Sequence, residues 1–476
     1  MNYYTIFHIT GDILIFLALF MLIPLITGIY FKEYDFIIFL FISLIILIIG
    51  IILKNNKKQD YLSYKEGFIV VTINWLIISI FGAFPYLLSG VINNPIDAIF
   101  ESISGFTTTG ATIIITVESL SKTMLMWRSL THWLGGMGII VMYIAILPEI
   151  AGNMYLYQAE VPGPVSNVLK PRLKESSRII ILIYILLTIS EIILLKLNGM
   201  NLFDSIIHSF STISTGGFSS KSFSIKSYNN IKIEIIIALF MFISATNFTL
   251  IYHLFTGKII KIFKDEEFKL YTLIIIITTI FISINLLNNP LNNINHVLRY
   301  SYFQVISIIS TTGFATFNYD NWPPFSRFIL LVLMFIGGSS GSTAGGIKII
   351  RFKILFKKGM QELFYLIHPK AIKKITINGQ IIPDSLSTGI LGFFYLYILV
   401  FIINTIFLTY LGIDIISSIS AVAATLGNIG PGLKLVGPIN TFYVLPPLAK
   451  LLLSICMILG RLEIYTILVF FFIDWH

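Results

Sequence analysis

SISGFTTTGA, residues 102–111, closes a short apolar stretch on a threonine, one further residue and a glycine. The same ending returns in SFSTISTGGF (209–218), VISIISTTGF (305–314) and ISAVAATLGN (419–428). Aligned on the glycine, the triplets are Thr108-Thr109-Gly110, Thr215-Gly216-Gly217, Thr311-Thr312-Gly313 and Thr425-Leu426-Gly427. Thirteen residues before the glycines stand Asp97, Asp204, Tyr300 and Asp414. Six before stand Ser104, Ser211, Ser307 and Ala421. One such triplet is chance. Four in matching positions, three of them with an aspartate at one offset, are an internal repeat.

The pattern has a physical purpose. Aspartate is a good N-cap for a short helix. Such a helix directs the partial negative charge of its C-terminal end toward whatever follows it. The glycine then allows backbone angles that strain other residues, so carbonyls can turn toward a common axis. Four such loops around one axis make a ring of oxygens able to replace the hydration shell of a cation.

The flanks show where this ring would sit. Of 476 residues, 56% are hydrophobic and 12% charged, about half the charge usual in a soluble domain. Apolar runs such as Ile13–Phe31 and Phe36–Leu53 are long enough to cross a hydrocarbon core about 30 Å thick. The first lacks the basic flank and cleavage site of a secretory signal, so it reads as a membrane span. Around each triplet the order is long apolar segment, short segment, loop, long apolar segment. The long segments are Glu66–Ser89 and Lys122–Pro148, Arg178–Asn198 and Ile231–Phe255, Phe268–Leu287 and Phe325–Ile347, and Ser385–Leu411 and Phe442–Phe472. The short ones are Ile96–Phe106, Leu202–Ile213, Val297–Ile309 and Ile413–Ala424, too short to span and therefore re-entrant. The predicted fold is an all-α polytopic membrane protein. It has four helix–pore loop–helix repeats around a pseudo-fourfold pore, preceded by two extra transmembrane helices, with about ten full crossings. The expected boundaries are 1–60 for the opening pair and 61–150, 170–257, 265–375 and 380–476 for the repeats.

The net charge of +9 does not point to nucleic acid, because twenty of the 32 Lys and Arg fall in four clusters between apolar runs. These hold Lys54, Lys57, Lys58 and Lys65; Lys170, Arg172, Lys174 and Arg178; Lys258, Lys261, Lys264 and Lys269; and eight residues from Lys348 to Lys374. Positive loops resist translocation and mark the cytoplasmic side, which puts both termini there. The single Cys456 rules out an intramolecular disulfide and a multi-thiolate metal site. No HExxH motif, Cys/His pair or apolar carboxylate dyad supplies an active site, so no enzyme is expected.

Beyond the triplets, four stretches resemble the TrkH branch of the Trk/Ktr/HKT potassium transporters. They are THWLGGMGIIV (Thr131–Val141), GGSSGSTAGGIKIIR (Gly337–Arg351), ATLGNIGPGL (Ala424–Leu433) and GRLEIYT (Gly460–Thr466). The resemblance covers essentially the whole chain. It implies a potassium-translocating subunit in the cell inner membrane, with K+ as transported ion, Na+ and Rb+ as further candidates, and no cofactor held by this chain. It further implies a homodimer, regulated by a cytosolic nucleotide-binding ring of the TrkA type. Carried over by position, the triplet residues form the filter, with Gly110, Gly217, Gly313 and Gly427 as its glycines. The fourth triplet departs most, through Leu426 and Ala421.

Gly337–Gly346 holds five glycines and four Ser or Thr in ten positions, a poor lipid-facing helix. The resemblance makes Gly337, Gly338, Gly341, Gly345 and Gly346 an intramembrane gate. Packing through small residues is the alternative. GSTAGGIK (341–348) lacks the ending of a phosphate loop. Arg461 lies fourteen residues past Pro447, roughly 21 Å along a helix, where an arginine needs a polar partner. The resemblance places it in the gate as an electrostatic barrier; an ion pair with Glu463 is the alternative. Lys450, equally deep, has no assigned role beyond a vestibule or snorkelling. Trp127, Arg128, His132 and Trp133 read as an interfacial anchor, and His208 as packed in its short helix. A sodium- or proton-coupled secondary transporter is the rival function. It requires midplane carboxylates, of which Glu191 is one of few.

Overall fold

The structure, a computed structural model, describes residues 3–56, 64–138, 172–288 and 293–471. Among them helices and their connecting loops make up the chain, and the one small hairpin is Thr376–Ile377 with Gln380–Ile381. The opening pair is Tyr3–Phe20, continued by Leu22–Phe31, against Phe36–Lys54. Gly11 and Gly50 let these helices meet closely: a Cβ on Gly11 would stand 2.6 Å from the Gly50 carbonyl. Small residues at a helix crossing are how apolar helices pack where lipid removes the hydrophobic drive.

Four times a long helix then leads into a short one. The pairs are Tyr64–Leu88 and Pro95–Phe106, Arg172–Leu197 and Leu202–Ile213, Glu266–Leu287 and Ile294–Ile309, and Asp384–Tyr410 and Ile415–Leu426. The long helices expose Ile, Leu and Phe outward, among them Ile80, Ile193, Ile280 and Ile406, as a lipid-facing surface should. The short helices are buried along most of their length. Their caps differ from expectation. Asn94, Asn201 and Asn293 cap the first three, accepting from the amides of Ile96, Asp204 and Asn295. Asp97 and Asp204 sit inside the first turn, favourable to the helix dipole but not capping. Only Asp414 is a cap, accepting from the Ser417 amide.

The second helices depart from the expected continuous spans. Ile231–Ser244 and Phe248–Phe255 meet at a bend of 107°, where Asn247 caps the second piece through the Thr249 amide. Pro324–Ile336 stops at Gly337, and helix resumes at Ile349–Ile367. Pro447–Arg461 breaks at Leu462 before Glu463–Phe471. In the first unit Lys122–Met137 is described; the stretch to Pro148 and the expected boundary at 150–170 lie outside the described residues. Among those residues six helices are long and apolar enough to span a membrane, or seven if the bent pair counts as one. The ten crossings of the sequence reading are therefore not ten continuous helices. Polar breaks account for the second helices of units two, three and four, and in unit one the stretch past Gly138 lies outside the described residues.

Each unit is tied to the next. Arg128 donates to the Ser219 carbonyl, joining units one and two. Arg299 makes two 2.6 Å bonds to Glu234, joining three to two. The Asp320 carboxylate accepts from the Lys434 amide, joining three to four. Lys450 pairs with Asp97 at 2.8 Å, closing four onto one. Lys450 thus has a buried partner in the first short helix, in place of a snorkelling position. Lys348 and Arg351, read as part of a cytoplasmic loop, are buried too. Arg351 bonds Glu463 at 2.6 Å.

Candidate functional site

Each short helix ends in the same backbone figure. The residue after its C-terminal cap adopts a left-handed conformation: Thr108 at φ 52°, Thr215 at 55°, Thr311 at 58° and Asn428 at 54°. Two residues on, a glycine does so again: Gly110 at 79°, Gly217 at 83°, Gly313 at 79° and Gly430 at 99°. Between them the amides of Thr109, Gly216, Thr312 and Ile429 donate to Ser104, Ser211, Ser307 and Ala424 at 2.8–3.0 Å.

This geometry corrects the fourth triplet by three residues. Thr425 and Leu426 belong to the last turn of the helix, and Gly427 caps it at φ −80°. The residues that match the first three loops are Asn428-Ile429-Gly430. The match at Asp414 and Ala421 was produced by the wrong register. Glycine at 427 was misleading because the cap position takes Thr107, Ser214 and Ser310 elsewhere, none of which needs to be glycine. The signal was nevertheless present: asparagine is the residue besides glycine that best tolerates positive φ, and a second glycine follows it.

The four loops close on one another in order. A Cβ on Gly110 would stand 2.1 Å from the Gly216 carbonyl. One on Gly217 would stand 1.9 Å from that of Thr312, and one on Gly313 1.9 Å from that of Ile429. On Gly430 it would lie 2.7 Å from the Thr109 carbonyl. Each glycine therefore abuts the carbonyl that precedes the next unit's glycine, and the cycle closes. Asn428 reinforces the seam, donating to the Thr109 hydroxyl at 3.0 Å and to the Met457 carbonyl at 2.9 Å.

Behind the ring lies the cluster read as an interfacial anchor. Trp127, Arg128 and His132 are fully buried, which excludes that role. Arg128 pairs with buried Glu101 at 3.0 Å, whose other oxygen accepts the Ile113 amide at 2.9 Å. The His132 ring stacks on Phe218 at 4.0 Å and accepts from the Phe218 amide at 3.4 Å. These groups brace the extended segments that leave the first two loops. His208 is packed as expected, between the Asp204 carbonyl and the Ser219 hydroxyl. Glu191 is buried beside Thr212, outside the ring.

The glycine-rich segment folds back against the ring's inner edge. Gly337, Gly341 and Gly346 have φ of 73°, 70° and 74°, which side-chain-bearing residues rarely adopt. Ser339 bonds the Ala245 carbonyl at 2.9 Å, and the Gly341 carbonyl accepts the Phe248 amide at 3.0 Å. Gly338 is packed so closely that a Cβ would lie 2.6 Å from the Ala344 side chain. At the loop's far end the Gly345 amide donates to the Thr311 hydroxyl at 2.7 Å. Arg461 reaches the same place from the fourth unit. It donates to the Thr108 hydroxyl at 3.2 Å, to the Thr343 carbonyl at 3.0 Å, and to the carbonyls of Gly135 and Gly136. Its expected alternative partner, Glu463, is bonded to Arg351 instead.

One contributor escaped the sequence. Glu267 accepts from the Ser340 amide at 2.7 Å and from the Ile350 amide at 3.2 Å, gripping both flanks of the loop. In sequence it is one of two acids opening a helix, which reads as dipole compensation. Among the described residues no group of three or more His, Cys, Asp or Glu could hold a metal. The oxygens that converge here are carbonyls and hydroxyls, the hard neutral ligands suited to a weakly bound monovalent cation.

The sequence profile of TrkH, described as a cation transport protein, matches residues 35–475. The chain belongs to the TrkH family. It is 39% identical to the Trk system potassium uptake protein TrkH of Escherichia coli K12, with 99% of each chain covered. Identity to the Halomonas elongata protein of the same name is 38%, covering 88% of this chain and 87% of that one. The crystal structure of the potassium transporter TrkH from Vibrio parahaemolyticus superposes with a TM-score of 0.90 at 34% identity, covering all of both chains. As a TrkH-family protein with several apolar spanning helices, the chain is a multi-pass membrane protein with a transport role.

Proposed function

We propose that this chain takes up potassium through the ring of four loops, closed from the other side by the glycine-rich segment and Arg461. The observation that carries this reading is the cyclic abutment of Gly110, Gly217, Gly313 and Gly430 on their neighbours' carbonyls. The filter residues are then Thr108-Thr109-Gly110, Thr215-Gly216-Gly217, Thr311-Thr312-Gly313 and, in the corrected register, Asn428-Ile429-Gly430. The gate is Gly337–Gly346 with Arg461, whose charge beneath the ring opposes a cation. Relatives named as potassium uptake proteins support the choice of ion.

The finer assignments belong to the same proposal. The protein lies in the inner membrane with both termini cytoplasmic, each pore unit occupying the stretch its helices define. It forms a homodimer and is regulated from the cytosol by a nucleotide-binding ring of the TrkA type. Exposed Lys370, Lys373 and Lys374 supply a basic surface for an acidic partner.

Flux of K+, Rb+ and Na+ into liposomes holding the full chain tests the reading. Gly217→Asp should abolish K+ and Rb+ uptake, and Arg461→Ala should raise basal flux about tenfold, the scale of one lost charge barrier. Flux that begins only under an imposed sodium or proton gradient would instead favour a coupled transporter. Equal K+ and Na+ flux, insensitive to both substitutions, would sink the filter.

A further inference from the structure

The corner residues of the ring, Thr108, Thr215, Thr311 and Asn428, share one backbone conformation but not one set of partners. The Thr108 hydroxyl accepts from Arg461 Nη1, and the Thr311 hydroxyl accepts from the Gly345 amide. The Thr215 hydroxyl donates to the carbonyl of Ser214 in its own chain segment, at 2.6 Å. Asn428 offers an amide, engaged by Thr109 and Met457. Two of the four corners are thus held by the closing elements and two are not.

Those closing elements are also joined to each other. Arg461 Nη1 bonds the carbonyl of Thr343 in the glycine-rich loop, two residues before Gly345. The Thr343 hydroxyl in turn reaches the carbonyls of Ile213 and Ser244. A movement that withdraws the loop from Ser244 and Ile213 pulls on Arg461 and on the Gly345 amide together. Both threonine hydroxyls are released in the same step.

A hydroxyl oxygen that accepts from a guanidinium or an amide has one fewer lone pair for a cation, and the guanidinium charge repels the cation directly. We propose that Thr108 and Thr311 couple the gate to the filter: their hydroxyls serve the closing elements in this state and complete the innermost cation position only when those elements withdraw. Selectivity at the inner end then belongs to the open state alone. The inference rests on the filter-and-gate reading above and adds a state-dependent site to it.

The test is a double-mutant cycle on the full chain in liposomes, reading basal Rb+ flux and the Rb+ to Na+ ratio. Thr108→Ala and Arg461→Ala should each raise basal flux, by about tenfold for loss of a charge-assisted bond. The double variant should be no leakier than Arg461→Ala alone, since the two share one interaction. Within the Arg461→Ala background, Thr108→Ala should lower the Rb+ to Na+ ratio. Thr108→Ser, which keeps the hydroxyl, should restore tight closure. Thr215→Ala, whose hydroxyl bonds its own chain, should combine with Arg461→Ala additively. If Thr108→Ala does not fold, Thr311→Ala against Thr311→Ser reads the same coupling through Gly345. Independent, additive effects of Thr108 and Arg461 on basal flux would overturn the coupling while leaving the filter intact. Fluxes unmoved by Gly217→Asp and Arg461→Ala would remove the filter reading and this inference with it.

Discussion

The half of the molecule that holds the ring is built four times over; the half nearer the basic loops is built once. On the ring side, four short helices end in the same pair of left-handed residues, with φ agreeing within 6° at the first and 20° at the second. On the other side, among the described residues, the second helices of units two, three and four each break in their own way. One bends at Asn247, one opens into a twelve-residue break beginning at Gly337, and one steps at Leu462 into Glu463. The contrast follows from what each half must supply. A ring of oxygens needs equal contributions from every unit, so the backbone is constrained alike in all four. On the proposed reading a barrier needs only one obstruction, which the third and fourth units would provide.

The comparison can be broken most sharply at the fourth loop. Gly430→Ala forces a side chain onto φ 99° and against the Thr109 and Gly110 backbone. It should reduce Rb+ uptake by about a hundredfold, since strain and clash together reach a few kcal/mol. Thr425→Ser, inside the helix, should stay within about twofold of the parent. The reverse ranking would restore Thr425-Leu426-Gly427 as the ring residues and end the fourfold backbone match.

The seams between units sharpen it next. Lys450→Met leaves Asp97 buried without its ammonium, which costs about 3–5 kcal/mol when one partner of a buried pair is removed. Thermal unfolding in detergent should show that loss, and Lys450→Met with Asp97→Asn should recover part of it. A pair that contributes only charge at a surface would show no recovery.

The smallest effect is expected at the exposed tie between units one and two. Glu118 is exposed; the little desolvation it suffers pushes its carboxyl up, but the hydroxyl and amide of Ser222 bond it and win. Its carboxyl is therefore held below the ordinary value of 4.5. A depressed acid contributes stability above its unfolded value, and that contribution fades as pH falls through the folded one. Acidifying below about 4.5 should loosen this tie in the parent and leave Glu118→Gln flatter across the same range. Parallel unfolding curves for the two proteins would remove Glu118 from the seam.

The sequence by itself determined the membrane class, the two opening helices and the placement of all four short helices. Leu202–Ile213 was predicted with both ends correct. Apolar length and turn residues are local properties, and local physics sets where a helix can exist. It also located three of the four Thr-x-Gly turns, because each directly follows its short helix, although the polar cap stands sixteen residues before the glycine in the first two and twenty in the third. Tertiary structure alone decided the rest. The register of the fourth loop depended on which residue must turn left-handed against a neighbour's carbonyl. That requirement comes from Thr109, more than three hundred residues away. The partners of Lys450, Arg461, Arg128 and Glu267 were equally invisible. Each is a charge taken out of water: Lys450 and Arg461 find their partners in other units, Arg128 and Glu267 mainly in distant turns of their own, and no spacing along the chain records which group will be there.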